Sequence, residues 1–181
     1  VRKIAPYTYQ VKKSECLDLP EKSYTSWSFE VTWDQWCHYR WVLDEYLMFL
    51  DEMKPETIYK LLTALQHVTA GRRVLTLPNQ KMKTESMFGD PLVNPRIQTL
   101  LEILDRIGDK VIIWCRYTHE INDICRLLRE KYGNESVVEF HGEISKKKRE
   151  INAEKFAKDA RFFVANKTCA GYGLNLQFCS Y

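Results

Sequence analysis

Three short segments carry residue types suited to holding phosphate groups. They are Arg116-Tyr117-Thr118, His141-Gly142-Glu143-Ile144-Ser145 and Asn166-Lys167-Thr168-Cys169-Ala170-Gly171-Tyr172-Gly173. Each stands just before a helix start or a glycine turn, where backbone N–H groups and hydroxyls can meet phosphate oxygens. Basic side chains flank all three: Arg116, Lys146, Lys147, Lys148, Arg149 and Lys167. Lys146 and Arg149 fall on adjacent turns of one helix face, which suits a shared phosphate contact. The competing reading of the Lys146–Arg149 run is a solvated surface, because cations at a helix start oppose the helix dipole. His141 follows a strand directly, as structural hydrogen-bonding residues often do. No carboxylate or nucleophile is placed with it by sequence, so no acid–base machinery is argued.

The whole chain sets bounds on this chemistry. Its 27 Lys and Arg against 24 Asp and Glu leave a charge of +3 over 181 residues. Residues 1–90 net to zero and the surplus lies after residue 90. That is too little for a polybasic binder, but enough for a local strip facing phosphates. No G-x-x-x-x-G-K-[S/T] occurs, which excludes a self-sufficient P-loop nucleotidase. The six cysteines form no C-x-x-C pair and have no His at zinc spacing, so they read as buried, reduced thiols. No apolar run approaches the roughly 20 residues that span a bilayer, so no membrane partner is expected.

The elements that must position these loops follow from periodicity. Tyr24 to Val31 alternates like a strand, with Trp27, Phe29 and Val31 on one face. Thr32 and Gln35 form a capping box that launches a helix with Trp33, Trp36, Leu43, Tyr46, Leu47 and Leu50 as its apolar stripe. Pro55 starts a second helix with Ile58, Leu61, Leu62, Leu65 and Val68 along one side, stopped by Gly71. Residues 72–93 show no periodicity and read as a flexible connector. After them the rhythm changes. Asn94 and Pro95 cap a helix; then strands at Lys110–Cys115, Ser136–Phe140 and Arg161–Ala165 alternate with helices capped by Thr118 and Ser145. That order predicts a parallel α/β layer, with ligands just beyond the carboxyl ends of its strands. The expected division is an extension over 1–71, the connector 72–93 and an α/β unit over 94–181.

The ordered set V-I-I-W-C-R-Y, E-F-H-G-E-I-S-K-K-K-R-E-I-N-A-E-K-F and F-F-V-A-N-K-T-C-A-G-Y-G-L-N-L resembles the second RecA-like lobe of superfamily-two helicases. More narrowly it is similar to Swi/Snf-type ATPases, best of all to their bacterial and phage branch. His141, Gly142, Arg149 and Phe156 match the family's H/D-G…R…F segment, and Gly171, Gly173, Asn175 and Leu176 match the G-x-G-x-N-L core of motif V. Tyr7–Lys22 resembles the basic stretch and L-P-x-K that link the two lobes, and Gln35 and Tyr39 match the Q-x-x-x-Y helix that follows. Ala170 stands where motif V usually opens with glycine.

The resemblance implies a RecA-like helicase C-terminal lobe, its parallel sheet flanked by helices and preceded by a mainly helical extension. It implies the second half of an ATP-dependent DNA helicase or translocase, in a bacterial or phage-infected cytoplasm. The partners it implies are a first lobe and DNA, held by backbone contacts without regard to sequence. Arg116, Thr118, His141, Gly142, Lys146, Lys147, Lys148, Arg149, Lys167 and Thr168 become the expected DNA contacts. Gly171, Gly173 and Asn175 would couple them to the nucleotide. ATP and Mg²⁺ would sit between two lobes, and the first lobe's Walker A and D-E-x-H, with the Q-x-x-G-R-x-x-R of motif VI, lie outside this sequence. The chain is therefore expected to be a fragment, with no catalytic residue of its own and none of these ligands bound to it. The alternative is a non-catalytic α/β interaction module that docks a partner on the Trp33/Trp36/Leu43/Leu50 stripe.

Overall fold

The computed structural model describes residues 22–48, 55–76, 81–171 and 173–181. The stretch Tyr7–Glu21, Cys16, Leu50 and Tyr172 lie outside these residues. Helix α1 spans Trp33–Leu47 and is launched by the expected capping box: Gln35 N donates to Thr32 Oγ1 at 3.2 Å and Thr32 N to Gln35 Oε1 at 3.1 Å. The segment before it is not a strand. Alternation creates a strand only where a neighbour offers a ladder; here Trp27 instead lies under the Arg106 guanidinium, 5.0 Å from its ring centre.

The buried face of α1 also differs from the apolar stripe. It consists of Gln35, His38, Val42 and Tyr46, while Trp33 is 78% and Trp36 46% exposed. Helix α2, Pro55–Thr69, packs on this face through Ala64 and Val68, with Leu61 and Leu65 partly buried and Ile58 and Leu62 outside. Two long-range hydrogen bonds explain the choice. Gln35 Nε2 donates to Val68 O at 3.1 Å, and Val74 N donates to His38 Nε2 at 2.9 Å. A buried backbone group left unpaired costs about 1–3 kcal/mol, so two polar side chains that satisfy such groups displace tryptophans from the interface.

Gly71 ends α2 with φ of +88°, as its C′ position requires. The expected connector contains a two-stranded antiparallel hairpin, β1 (Arg72–Val74) with β2 (Thr84–Ser86), and a 3₁₀ turn at Pro91–Val93. Asn94 then joins two helices: its Oδ1 accepts from Arg96 N at 3.1 Å, and its Nδ2 donates to Ala70 O at 3.2 Å.

The α/β unit runs α3 (Pro95–Arg106), β3 (Val111–Cys115), α4 (Thr118–Tyr132), β4 (Val137–Phe140), α5 (Lys146–Lys158) and β5 (Phe162–Asn166), then a single turn, α6 (Lys167–Ala170). The three strands are parallel in the order β3-β5-β4, so β5 is central, and it is apolar from Phe162 to Ala165. Its alternate side chains feed two cores. Phe162 and Val164 join Leu104, Ile121, Cys125 and Leu128; Phe163 and Ala165 join Val138, Phe140 and Phe156. At the opposite end from the loops, two basic residues cap helices crosswise. Lys110, before β3, donates to Phe156 O and Ala160 O at 2.7 Å beyond the last turn of α5. Arg161, before β5, donates to Leu104 O at 3.0 Å and to Ile107 O at the end of α3. Part of the positive surplus is thus structural rather than ligand-facing. Cys115 and Cys125 are buried as expected, but Cys37 is exposed and Cys169 and Cys179 are half-buried.

Candidate nucleic-acid interface

Because β5 lies between its neighbours, its loop touches both others. Asn166 Nδ2 donates to Arg116 O at 2.7 Å, and a Cβ on Gly142 would lie 3.7 Å from Cys169 Sγ. The three loops therefore share one edge of the sheet. Several backbone amides in and beside them are engaged. Glu120, buried on the first turn of α4, accepts from Arg116 N at 3.2 Å and from Tyr117 N at 3.1 Å. Thr168 N donates to Asn166 Oδ1 at 2.8 Å, and Lys148 N and Arg149 N donate to Ser145. These five amides are thus engaged within the protein. Thr118 does not cap α4 either; it is the first helical residue, and Tyr117 takes the cap position.

The side chains that remain converge in a cleft of about 640 Å³ between β3, the β5 loop and α2. Arg116, Lys167 and Thr168 stand on its rim together with Trp114, Tyr117, Tyr59 and Thr63. The other predicted residues are elsewhere. Lys146 and Arg149 line a separate hollow with Phe140 and Leu174. Lys148 turns to Glu139 at 3.3 Å, which Arg129 also approaches at 3.4 Å, and Lys147 is exposed. His141 is buried, with its Nδ1 unpaired. Gly171 is exposed, but a Cβ there would sit 2.5 Å from Lys167 O, so only glycine fits this turn. Gly173 has φ of +79°, and Asn175 Oδ1 accepts from Gln177 N at 3.4 Å.

Several participants were not singled out from sequence. Glu120 is held by Arg96 Nη1 at 2.5 Å, so its carboxylate is anchored from both sides. Its place three residues after the cap Tyr117 is the one signal that marks it in the sequence. His67, Tyr117 and His119 cluster, with Tyr117 4.0 Å from His67 and 5.3 Å from His119 and the two imidazoles 6.0 Å apart between ring centres. Burial, then the positive charge of neighbours that include Arg72, pushes both histidines down to about 4. Nothing in the local pattern announces that cluster, since His67 sits on α2 and the others beyond β3. Among the described residues no three His, Cys, Asp or Glu are grouped as a metal ion would need, and no helix is long and apolar enough to cross a membrane.

Comparison with known proteins gives three findings. Residues 95–181 match the helicase conserved C-terminal domain family. The fold resembles the C-terminal domain of a SWI2/SNF2 ATPase from Sulfolobus solfataricus, at 20% identity and a TM-score of 0.63, over 81% of this chain and 64% of that one. It also resembles the SWI2/SNF2 ATPase core domain of the same organism, at 19% identity and a TM-score of 0.61, over 90% of this chain and 34% of that one. The chain thus spans less than two thirds of either structure. No curated protein matches the sequence.

Proposed function

We propose, from the match of residues 95–181 to the helicase conserved C-terminal domain family and the fold shared with a SWI2/SNF2 ATPase C-terminal domain, that the protein grips a DNA backbone and couples that grip to ATP turnover. The observation that carries the reading is the convergence of Arg116, Lys167 and Thr168 on one cleft at the carboxyl ends of β3 and β5. Two cations and a hydroxyl just beyond the ends of adjacent strands suit a phosphodiester, and none of them reads a base edge, so binding is sequence-independent. Glu120 contributes indirectly: by holding the amides of Arg116 and Tyr117 it fixes the loop from which the Arg116 side chain extends.

The ATP and Mg²⁺ of this reading belong at a junction with a first lobe. The described residues supply no metal ligand set, so no hydrolytic step is assigned to them. Gly171, Gly173 and Asn175 lie immediately after the cleft residues in sequence and are proposed as the coupling segment. Lys146, Lys147, Lys148 and Arg149, with Thr118, His141 and Gly142, play a lesser part, since they stand outside the cleft.

Binding of labelled duplex DNA, followed by anisotropy across a salt series, tests the reading. Affinity should fall steeply with salt. Arg116→Glu with Lys167→Glu should weaken it by roughly tenfold or more, against a smaller effect of Lys146→Glu, Lys147→Glu and Lys148→Glu together. Salt-independent binding, or none, would count against the grip. DNA-stimulated ATPase should appear only when a first lobe and the motif VI arginines are supplied together.

The exposure of Trp33 and Trp36 favours a second reading, in which α1 docks a protein partner. Trp33→Glu with Trp36→Glu should then abolish a protein complex without changing DNA affinity.

A further inference from the structure

We propose that the hollow beside the start of α5 docks an acidic segment of a partner protein, anchored by one large apolar side chain. The proposal gives a role to Lys146 and Arg149, which the cleft leaves out, and it does not depend on the phosphate grip.

The hollow has a floor and a rim of different character. Phe140, at the end of β4, and Leu174, beyond the β5 loop, make the floor apolar. Both belong to the core on one face of the sheet, Phe140 buried within it and Leu174 packed partly against it. Lys146 and Arg149, one turn apart on α5, stand over that floor with Glu150 beside them. The Arg149 guanidinium lies 5.7 Å from the centre of the Phe140 ring, which keeps its charge against the apolar surface. Two other cations of the same helix are neutralised, Lys148 by Glu139 and Lys155 by Glu135. Among the described residues no carboxylate pairs with Lys146, Lys147 or Arg149, and Glu150 does not close on Lys146 one turn away. Arg149 Nε is buried without an acceptor.

Floor and rim together select the ligand. A phosphodiester would answer the cations but has no group to cover Phe140 and Leu174. A purely apolar ligand would leave the cations unanswered. At about 250 Å³ the hollow falls below the roughly 300–1,000 Å³ of small-molecule sites, and it has room for one large side chain. A leucine or phenylalanine flanked by Asp or Glu brings an anchor and anions in one short segment. Its carboxylates belong on the side of Lys146 and Arg149, because Glu150 repels them on the other. A chain that runs on past the hollow meets the exposed Lys147.

The test uses the 181-residue chain and three dye-labelled peptides, followed by anisotropy. The first carries one phenylalanine between two pairs of acidic residues. In the second, alanine replaces the phenylalanine; in the third, amides replace the acids. The first should bind roughly tenfold tighter than the second. It should also bind several-fold tighter than the third, with that gap closing as salt rises. Leu174→Ala and Lys146→Glu, each checked for its fold by circular dichroism, should both lower affinity for the first peptide several-fold. Glu150→Lys, on an exposed surface, should raise it. Equal binding of the alanine peptide would overturn the proposal and leave a general anion surface, open to DNA phosphates. Unchanged affinity in both Leu174→Ala and Lys146→Glu, or no binding of the first peptide, would overturn it as well. The phosphate grip is judged apart from all of these, by the duplex affinity of Arg116→Glu with Lys167→Glu.

Discussion

Glu120 shows how one carboxylate can set what a loop offers a ligand. Held by Arg96, it occupies two amides of the β3–α4 loop, those of Arg116 and Tyr117. Glu120→Ala leaves the two amides and the Arg96 guanidinium without their acceptor. Thermal denaturation should show a loss of about 1–3 kcal/mol. Phosphate-dependent binding should weaken as well, because the Arg116 backbone loses its anchor. The cleft residues Arg116, Lys167 and Thr168 were legible from charge and loop position. Tyr59 and Trp114 were not, because a tyrosine on a helix and a tryptophan in an apolar strand look like core until the fold leaves their faces open.

Helix α1 illustrates the same limit at the scale of an element. Its start was readable because Thr32 and Gln35 act across three residues. Its inner face was not, because the partners of Gln35 and His38 stand 33 and 36 residues further on. Gln35→Leu should therefore destabilise the protein by about 1–3 kcal/mol through the unpaired Val68 carbonyl. Trp33→Gln, which hydropathy would rank as the graver change, should stay within about 0.5 kcal/mol of wild type. Urea unfolding of the two variants compares them directly. The strands of the α/β unit were legible throughout, since continuous apolar runs between capped helices admit few other architectures. The hairpin in residues 72–93 was not, since three-residue strands carry no periodicity to detect.

At the scale of the whole molecule, the ring cluster of His67, Tyr117 and His119 joins the helical extension to the α/β unit. Both histidines lie near 4 when folded, below the ordinary 6.5. Between those values the unfolded chain takes up protons that the folded one refuses. Stability is therefore full above pH 6.5 and declines as the pH falls toward about 4. With Arg72, Arg96 and Arg116 adding repulsion and Glu120 opposing it, and with partial exposure discounted, the loss should be on the order of 1–3 kcal/mol. Urea midpoints from pH 7 to 4 should show the decline, and His67→Gln with His119→Gln should flatten it. Lys110 and Arg161 give the lobe a further property. Each is rooted at the start of one strand and fastened to a helix end that strand does not adjoin in sequence. A tug delivered to the cleft edge of β3 or β5 is thereby shared between α3 and α5, so the α/β unit acts as a cross-braced frame that transmits force without shearing.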